Sequence, residues 1–194
     1  MAQIGLKHMV IAPITTSADG SEPTYGAGMK VGELMRANLT WNRSDVKLYG
    51  DDKLVARDNS VTSGTLTIGT TYIDRATKLK LFDMEAYNTP ASGGVQEYAL
   101  GGNASPKVGC GYVYKDLQGD DEIFVAYWYW KVQFSMNETM NTRGENTEYG
   151  TPEIEGEIFA ALPKADLAAR FRKEAEFDTE AAAIAWLNNL AGIS

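Results

Sequence analysis

The chain has 194 residues, with 18 Lys and Arg against 26 Asp and Glu, one histidine, one cysteine and a formal net charge of −8. A chain of this length can bury about two thirds of its unfolded surface, so no disulfide or metal staple is required. The acidic balance excludes a surface that grips nucleic acid by displacing counterions, and a lone cysteine excludes an intramolecular disulfide.

The first residues, MAQIGLKHMVIAPIT, lack the charged, apolar and small-residue succession of a secretory leader. Folding in a reducing cytoplasm is the expectation. No run approaches the roughly 20 apolar residues that cross a bilayer, so membrane insertion is not expected.

In chain order, Gln3 to Ala12 alternates Ile4, Leu6, His8 and Val10 against Gly5, Lys7 and Met9, the pattern of a short strand. Residues 13–28, PITTSADGSEPTYGAG, are punctuated by Pro and Gly and read as a long loop. Val31 to Trp41 resumes alternation, with Met35, Ala37, Leu39 and Trp41 on one side and Arg36, Asn38, Thr40 and Asn42 on the other. Val46 to Tyr49 and Lys53 to Ala56 flank a Gly-Asp-Asp turn, a hairpin signal. Val61 to Thr71 is rich in Thr and β-branched residues and reads as a further strand.

The period changes at Asp74 to Tyr87, where Ala76, Leu79, Phe82 or Asp83, and Ala86 recur at helical spacing; Asp74 caps the start and Pro90 closes the segment. Gln96 to Ala99 and Lys107 to Tyr114 read as strands around a GGNASP turn. The most apolar strand is Ile123 to Phe134, IFVAYWYWKVQF. Period two puts Phe124, Ala126, Trp128, Trp130, Val132 and Phe134 on one apolar face and Ile123, Tyr127, Tyr129, Lys131 and Gln133 on an amphipathic one suited to a partner.

Residues 135–150, SMNETMNTRGENTEYG, are too polar to bury and too long for a hairpin turn, so they read as a projecting arm. Glu153 to Leu162 is again a strand, with Glu153, Glu155 and Glu157 about 7 Å apart on the face opposite Ile154, Ile158, Ala160 and Leu162. Arg170 to Phe177 favours strand over helix, and DTEAAAIAWLNNLAG closes with a helix capped by Asp178 and stopped at Gly192. The expected core residues are Phe124, Trp128, Trp130, Phe134 and Trp186. The expected architecture is a single, mainly β domain over residues 1–194: an antiparallel β-sandwich or barrel with a flanking α-helix and a C-terminal helix.

Signatures of chemistry are weak. His8 sits on a terminal strand with no G-x-S-x-G elbow to build a triad around. One His and one Cys fall short of a zinc set, and the turn carboxylates at Asp51, Asp52, Asp120, Asp121 and Glu122 lack calcium-loop spacing. Gly26, Gly28 and Gly32 precede a strand and no Lys-Ser or Lys-Thr pair follows, unlike a phosphate loop. Cys110, between two glycines in a strand, reads as a small buried residue. No enzyme and no cofactor are expected. The Glu153, Glu155 and Glu157 face has two readings, a solvated outer face or the lining of a channel that carries a polyanion.

The succession GLKHMVIAPIT, TYGAG, MRANLTWNRSDVKLYGDDKLV, the helical segment, YALGGNASPKVGCGYVY, the aromatic strand, TPEIEGEIFAALP and EAAAIAWLNNLA resembles the major tail proteins, or tail tube subunits, of long-tailed, non-contractile bacteriophages. The resemblance covers nearly the whole chain in order and consists of strand patterns and short phrases. It implies a structural virion protein that forms hexameric rings stacked into a hollow tube. The tube would assemble around a tape-measure protein, be bounded by terminator and distal tail proteins, and carry DNA in transit without binding it specifically.

On that reading Glu153, Glu155 and Glu157 face the lumen. Contacts between subunits or rings come from the loop 13–28, through Thr15, Thr16, Asp19 and Tyr25, and from the arm 135–150, through Asn137, Glu138, Asn141, Arg143, Glu145 and Tyr149. The protein would be made in the host bacterial cytoplasm and reside in the virion tail. Two alternatives stand beside it: the inner tube of a contractile injection apparatus, and a carbohydrate-binding β-sandwich that stacks sugars on Trp128, Tyr129 and Trp130.

Overall fold

The structure, a computed structural model, describes residues 2–16, 22–51, 53–88, 94–118, 121–136, 151–161 and 170–193. The chain runs β1 (Ala2–Thr16), β2 (Thr24–Tyr25), β3 (Met29–Val31), β4 (Leu34–Arg43), β5 (Val46–Gly50), β6 (Lys53–Asp58) and β7 (Val61–Thr70). It continues α1 (Arg75–Leu81), β8 (Met84–Ala86), β9 (Tyr98–Leu100), β10 (Lys107–Gln118), β11 (Asp121–Met136), β12 (Glu153–Phe159), β13 (Arg172–Phe177) and α2 (Glu180–Ala191). The fold is mainly β and antiparallel, with two helices among the described residues.

The principal sheet has the order β2-β1-β10-β11-β12-β7-β4, with β3 added to β1 and β13 to β11. One edge of β11 pairs with β10 along its length, and the other is shared, Phe124 to Tyr129 by β13 and Lys131 to Met136 by β12. The sheet curls on itself. Met9 and Ile11 of β1, Leu66 and Ile68 of β7, Tyr112 of β10, Phe134 of β11 and Ile158 of β12 meet in one inner core, which Leu81 of α1 and Phe82 also enter. β4 and the first half of β1 approach without pairing, so the curl stays open along one seam.

A second core lies on the opposite face of β1, β10 and β11, where α2 docks. Ala183, Leu187 and Ala191 of the helix pack on Val10, Ala12, Val113, Ala126, Trp128 and Trp130. Thr179, one residue after the expected cap Asp178, caps α2, its hydroxyl accepting the Ala182 N–H at 3.4 Å. Gly192, at φ 65°, ends it in the left-handed conformation that glycine adopts without a Cβ penalty. The helix is further tied by Gly28 N–H to Ala191 O at 2.9 Å and by a 2.7 Å hydrogen bond between His8 Nε2 and Asn188 Oδ1.

Several expected boundaries move. The first strand does not stop at Ala12: Pro13 pairs with Val108, and Ile14 and Thr16 pair with Tyr25 and Thr24, so four residues of the expected loop belong to β1. Its alternation is broken by two bulges, near Gly5 and His8, both at positive φ. Past the second bulge alternation holds, Met9 and Ile11 entering the inner core and Val10 and Ala12 the second, and all four are fully buried because both faces are covered. Asp74 does cap α1, accepting the Thr77 N–H at 2.9 Å, but the helix ends at Leu81 and not at Tyr87. Pairing of Met84 with Leu100, and acceptance of the Asn103 N–H by Asp83 Oδ2 at 2.8 Å, recruit the remainder into a small sheet with β9. Within the segment 170–177, Arg172–Phe177 is strand, as its alternation predicts, and Arg170 makes an isolated bridge to Ala161.

The aromatic strand departs most. Val108 pairs with Val132, yet Cys110 pairs with Tyr129, so β11 carries one extra residue there, a β-bulge. Ahead of the bulge Ala126, Trp128 and Trp130 face α2 with Phe124 partly buried beside them, while Val125 and Tyr129 face the inner core. Beyond it the phase inverts, and Val132 and Phe134 join the inner core. The single apolar face expected from period two is therefore divided between two cores. The amphipathic face is not a partner surface over its first half either, because Ile123, Tyr127 and Tyr129 pack inward. Gly109 sits opposite the bulge, where a Cβ would meet Trp128 and Tyr25 at 2.5 Å.

Candidate functional site

Beyond the bulge, β11, β12, β7 and β4 form a four-stranded wall with one face on the inner core. In β12 the residues alternate exposed and buried from Glu153 to Ile158, so Glu153, Glu155 and Glu157 point outward and Ile154, Gly156 and Ile158 inward. Register places polar groups beside them: Asn38, Thr67, Glu155 and Ser135 form one cross-strand row, and Thr40, Thr65, Glu157 and Gln133 the next. Arg36 lies two strands from Glu153 across Gly69 and reaches it in a 2.7 Å ion pair. Among the described residues, Glu155 and Glu157 form no ion pair. Across these rows the wall is a sheet of hydroxyls, amides and carboxylates. Phe159, the next outward position of β12, pairs with Lys131, lies under Lys107 at 4.4 Å and ends the wall. The polarity of the wall depends on the bulge, without which Val132 and Phe134 would stand on it.

The hairpin β5–β6 forms a sheet of its own, apart from the principal one, and every residue of β6 is exposed. Val46, Leu48, Tyr49, Leu54 and Val55 are each between 53% and 65% exposed, an apolar concentration unusual for solvent. Register sets Val46, Leu48, Ala56 and Asp58 on one side and Lys47, Tyr49, Leu54 and Arg57 on the other, with Asp45 bridging Arg57 at 2.7 Å and Lys47 at 3.3 Å. A two-stranded ribbon is marginal by itself in water. Its hairpin pattern was legible in the sequence; its isolation was not, because exposure depends on which elements fail to cover it.

No known protein family matches the chain, and no curated protein matches it. The site's chemistry therefore rests on its own geometry.

The expected contact residues fall in different places. Thr15 and Thr16 are exposed, with the Thr15 and Thr24 hydroxyls 3.0 Å apart. Tyr25 is engaged within the chain: its hydroxyl donates to Trp130 O at 3.0 Å and accepts from Trp128 Nε1 at 3.3 Å, and its ring meets Trp128 edge-on at 5.1 Å. Burial pushes its phenol up. Asp19, Asn137, Glu138, Asn141, Arg143, Glu145 and Tyr149 lie outside the described residues.

Of the expected core, Trp128, Trp130 and Phe134 are buried, while Phe124 and Trp186 are partly buried against the α2 side, the Trp186 ring tilted at 55° to that of Phe177 with centroids 6.0 Å apart. Burial of Trp128, Tyr129 and Trp130 removes the sugar-stacking platform, which needs exposed rings. Cys110 is fully buried and its thiol is pushed up by desolvation, opposite to what a reactive thiolate needs. Among the described residues no helix is long and apolar enough to cross a membrane, and no group of three His, Cys, Asp or Glu side chains could hold a metal ion.

Proposed function

We propose that this chain is a self-assembling tube subunit of the kind found in the tails of long-tailed, non-contractile bacteriophages, working in the virion tail as a conduit for DNA. The observation that carries this reading is the polar wall of β11, β12, β7 and β4. Over the rows from Glu153 to Glu157 one face of a continuous sheet carries polar side chains, three of them carboxylates, while its back holds the main core. Turned toward a bore, such a wall repels phosphate and releases no counterions on contact, so DNA passes without sticking.

Unpaired edges support polymerisation. Among the described residues β4 pairs only with β7 and β13 only with β11, and free strand edges invite pairing with another chain. A heterologous contact repeated around a closing rotation makes a ring, six copies being the number the resemblance implies. The β5–β6 hairpin, apolar and uncovered, supplies a projection that orders against a neighbouring copy. A tape-measure protein inside the bore and terminating proteins at its ends complete the set of partners.

Electron microscopy of the purified protein at rising concentration tests the proposal. Hollow rods are expected, and a Val46→Asp, Leu48→Asp variant, altered only at exposed positions, is expected to stay folded and form none. A strict monomer at every concentration overturns the reading.

A further inference from the structure

The open seam between β4 and the first half of β1 leads into two adjoining cavities. One, of about 240 Å³, is lined by Arg172, Tyr112, Tyr114, Tyr127, Asn38 and Leu6 among others. The other, of about 250 Å³, is lined by Gly5, Leu6, Met35, Ala37 and Tyr114. They share Leu6, Ala37 and Tyr114, so a donor-rich chamber continues into an apolar one.

In a chain with 26 acidic and 18 basic residues, the first chamber holds a guanidinium and, among the described residues, no carboxylate in its lining. Arg172 lies 4.0 Å over the Tyr127 ring and gives Nη2 to Glu174 at 2.8 Å, outside the chamber. Its guanidinium also hydrogen-bonds to the Tyr129 hydroxyl, and with five N–H donors it is not exhausted by one carboxylate and one phenol. The phenols work as donors: Tyr114 and Tyr127 hydroxyls are 2.8 Å apart, those of Tyr112 and Tyr129 3.4 Å, and burial pushes Tyr112 and Tyr129 up, which keeps them protonated. By contrast, the cavity beside His8 contains Lys7 already paired with Glu180 at 2.6 Å, and Glu33 opposes Lys30.

We infer that the seam is a binding site for a short aliphatic carboxylate, its head on Arg172 and the Tyr127 hydroxyl and its tail toward Leu6, Ala37 and Met35. The carboxylate has two sources, a free organic acid or a Glu or Asp side chain of a second copy. The site goes beyond the tube reading and does not depend on it.

Titration with sodium hexanoate, read by NMR of the tyrosine rings, is expected to saturate, with hexanamide at least about tenfold weaker because it lacks the charge. Tyr127→Phe, which keeps the ring, is expected to weaken hexanoate by about tenfold, and Arg172→Met to abolish binding. Should Arg172→Met not fold, Tyr127→Phe carries the test. If the natural carboxylate belongs to a second copy, hexanoate competes with assembly and Tyr127→Phe impairs it; if it is a free acid, assembly ignores both. The absence of a saturable response in the wild-type protein, or an equal response to hexanamide, overturns the inference, whether or not rods form.

Discussion

Tyr129 and Val132 stand three positions apart on β11, yet both face the inner core. Strict alternation would put them on opposite faces. The bulge between them gives α2 its tryptophans and the inner core its Phe134, and frees the outer positions beyond it for Gln133 and Ser135 beside the glutamates.

Removing Lys131 would set Tyr129 and Val132 two positions apart, so the strand would alternate without a bulge and still hold Val132 and Phe134 in the inner core. The deletion is therefore expected to fold, as is Lys131→Ala, which stays within about 1 kcal/mol of wild type, whereas Phe134→Ala, which empties the inner position itself, is expected to cost about 3–5 kcal/mol. Urea melts of the three variants check this; a deletion that unfolds or aggregates would show that the extra residue does more than set the phase of β11.

Gly156 is the inward position of β12 between Ile154 and Ile158, and a Cβ there would lie 2.6 Å from Val132 and 2.8 Å from Phe134. Gly156→Ala is expected to cost about 1–3 kcal/mol by overpacking, despite alanine's better strand entropy. Denaturant midpoints give the number, and a stabilised variant would mean the wall relaxes around the methyl.

Burial pushes up the Cys110 thiol and the Tyr112 and Tyr129 phenols. Each holds its proton more firmly folded than unfolded. Below the unfolded values, about 8.5 for Cys and about 10 for Tyr, both states are protonated and the contribution is complete; above them only the unfolded chain ionises, and stability falls. The thermal midpoint should therefore decline from about pH 8.5 upward, and Cys110→Ala should flatten the section between about 8.5 and 10. A variant with the wild-type slope there would contradict the thiol's share.

Glu155→Lys combined with Glu157→Lys alters two exposed side chains and is expected to shift stability by no more than about 1 kcal/mol. Rods of this variant should retain short duplex DNA in a salt-sensitive manner, whereas wild-type rods should not. Equal retention by both, in a filter-binding assay across salt concentrations, would take these glutamates off the bore.

Much of this fold is local and therefore readable from residue order. The Glu153 to Ile158 alternation, the β5–β6 turn, the Asp74 cap and the Gly192 stop each depend on neighbours within a few positions, and all stand in the structure. What pairing and docking decide was hidden. Whether Pro13 to Thr16 is loop or strand depends on Val108 and Tyr25 lying alongside. Whether one face of β11 is core depends on α2 covering Trp128 and Trp130 while β7 and β12 cover Phe134 from the other side.

Chain order alone thus dictated the β class, the terminal helix and the outward glutamates, since steric preference and period two act between adjacent residues. Tertiary structure decided the bulge, the second core, the bare hairpin and the donor-lined seam. A register shift and an uncovered surface are properties of two strands and of whatever packs on them, and no single strand encodes both partners.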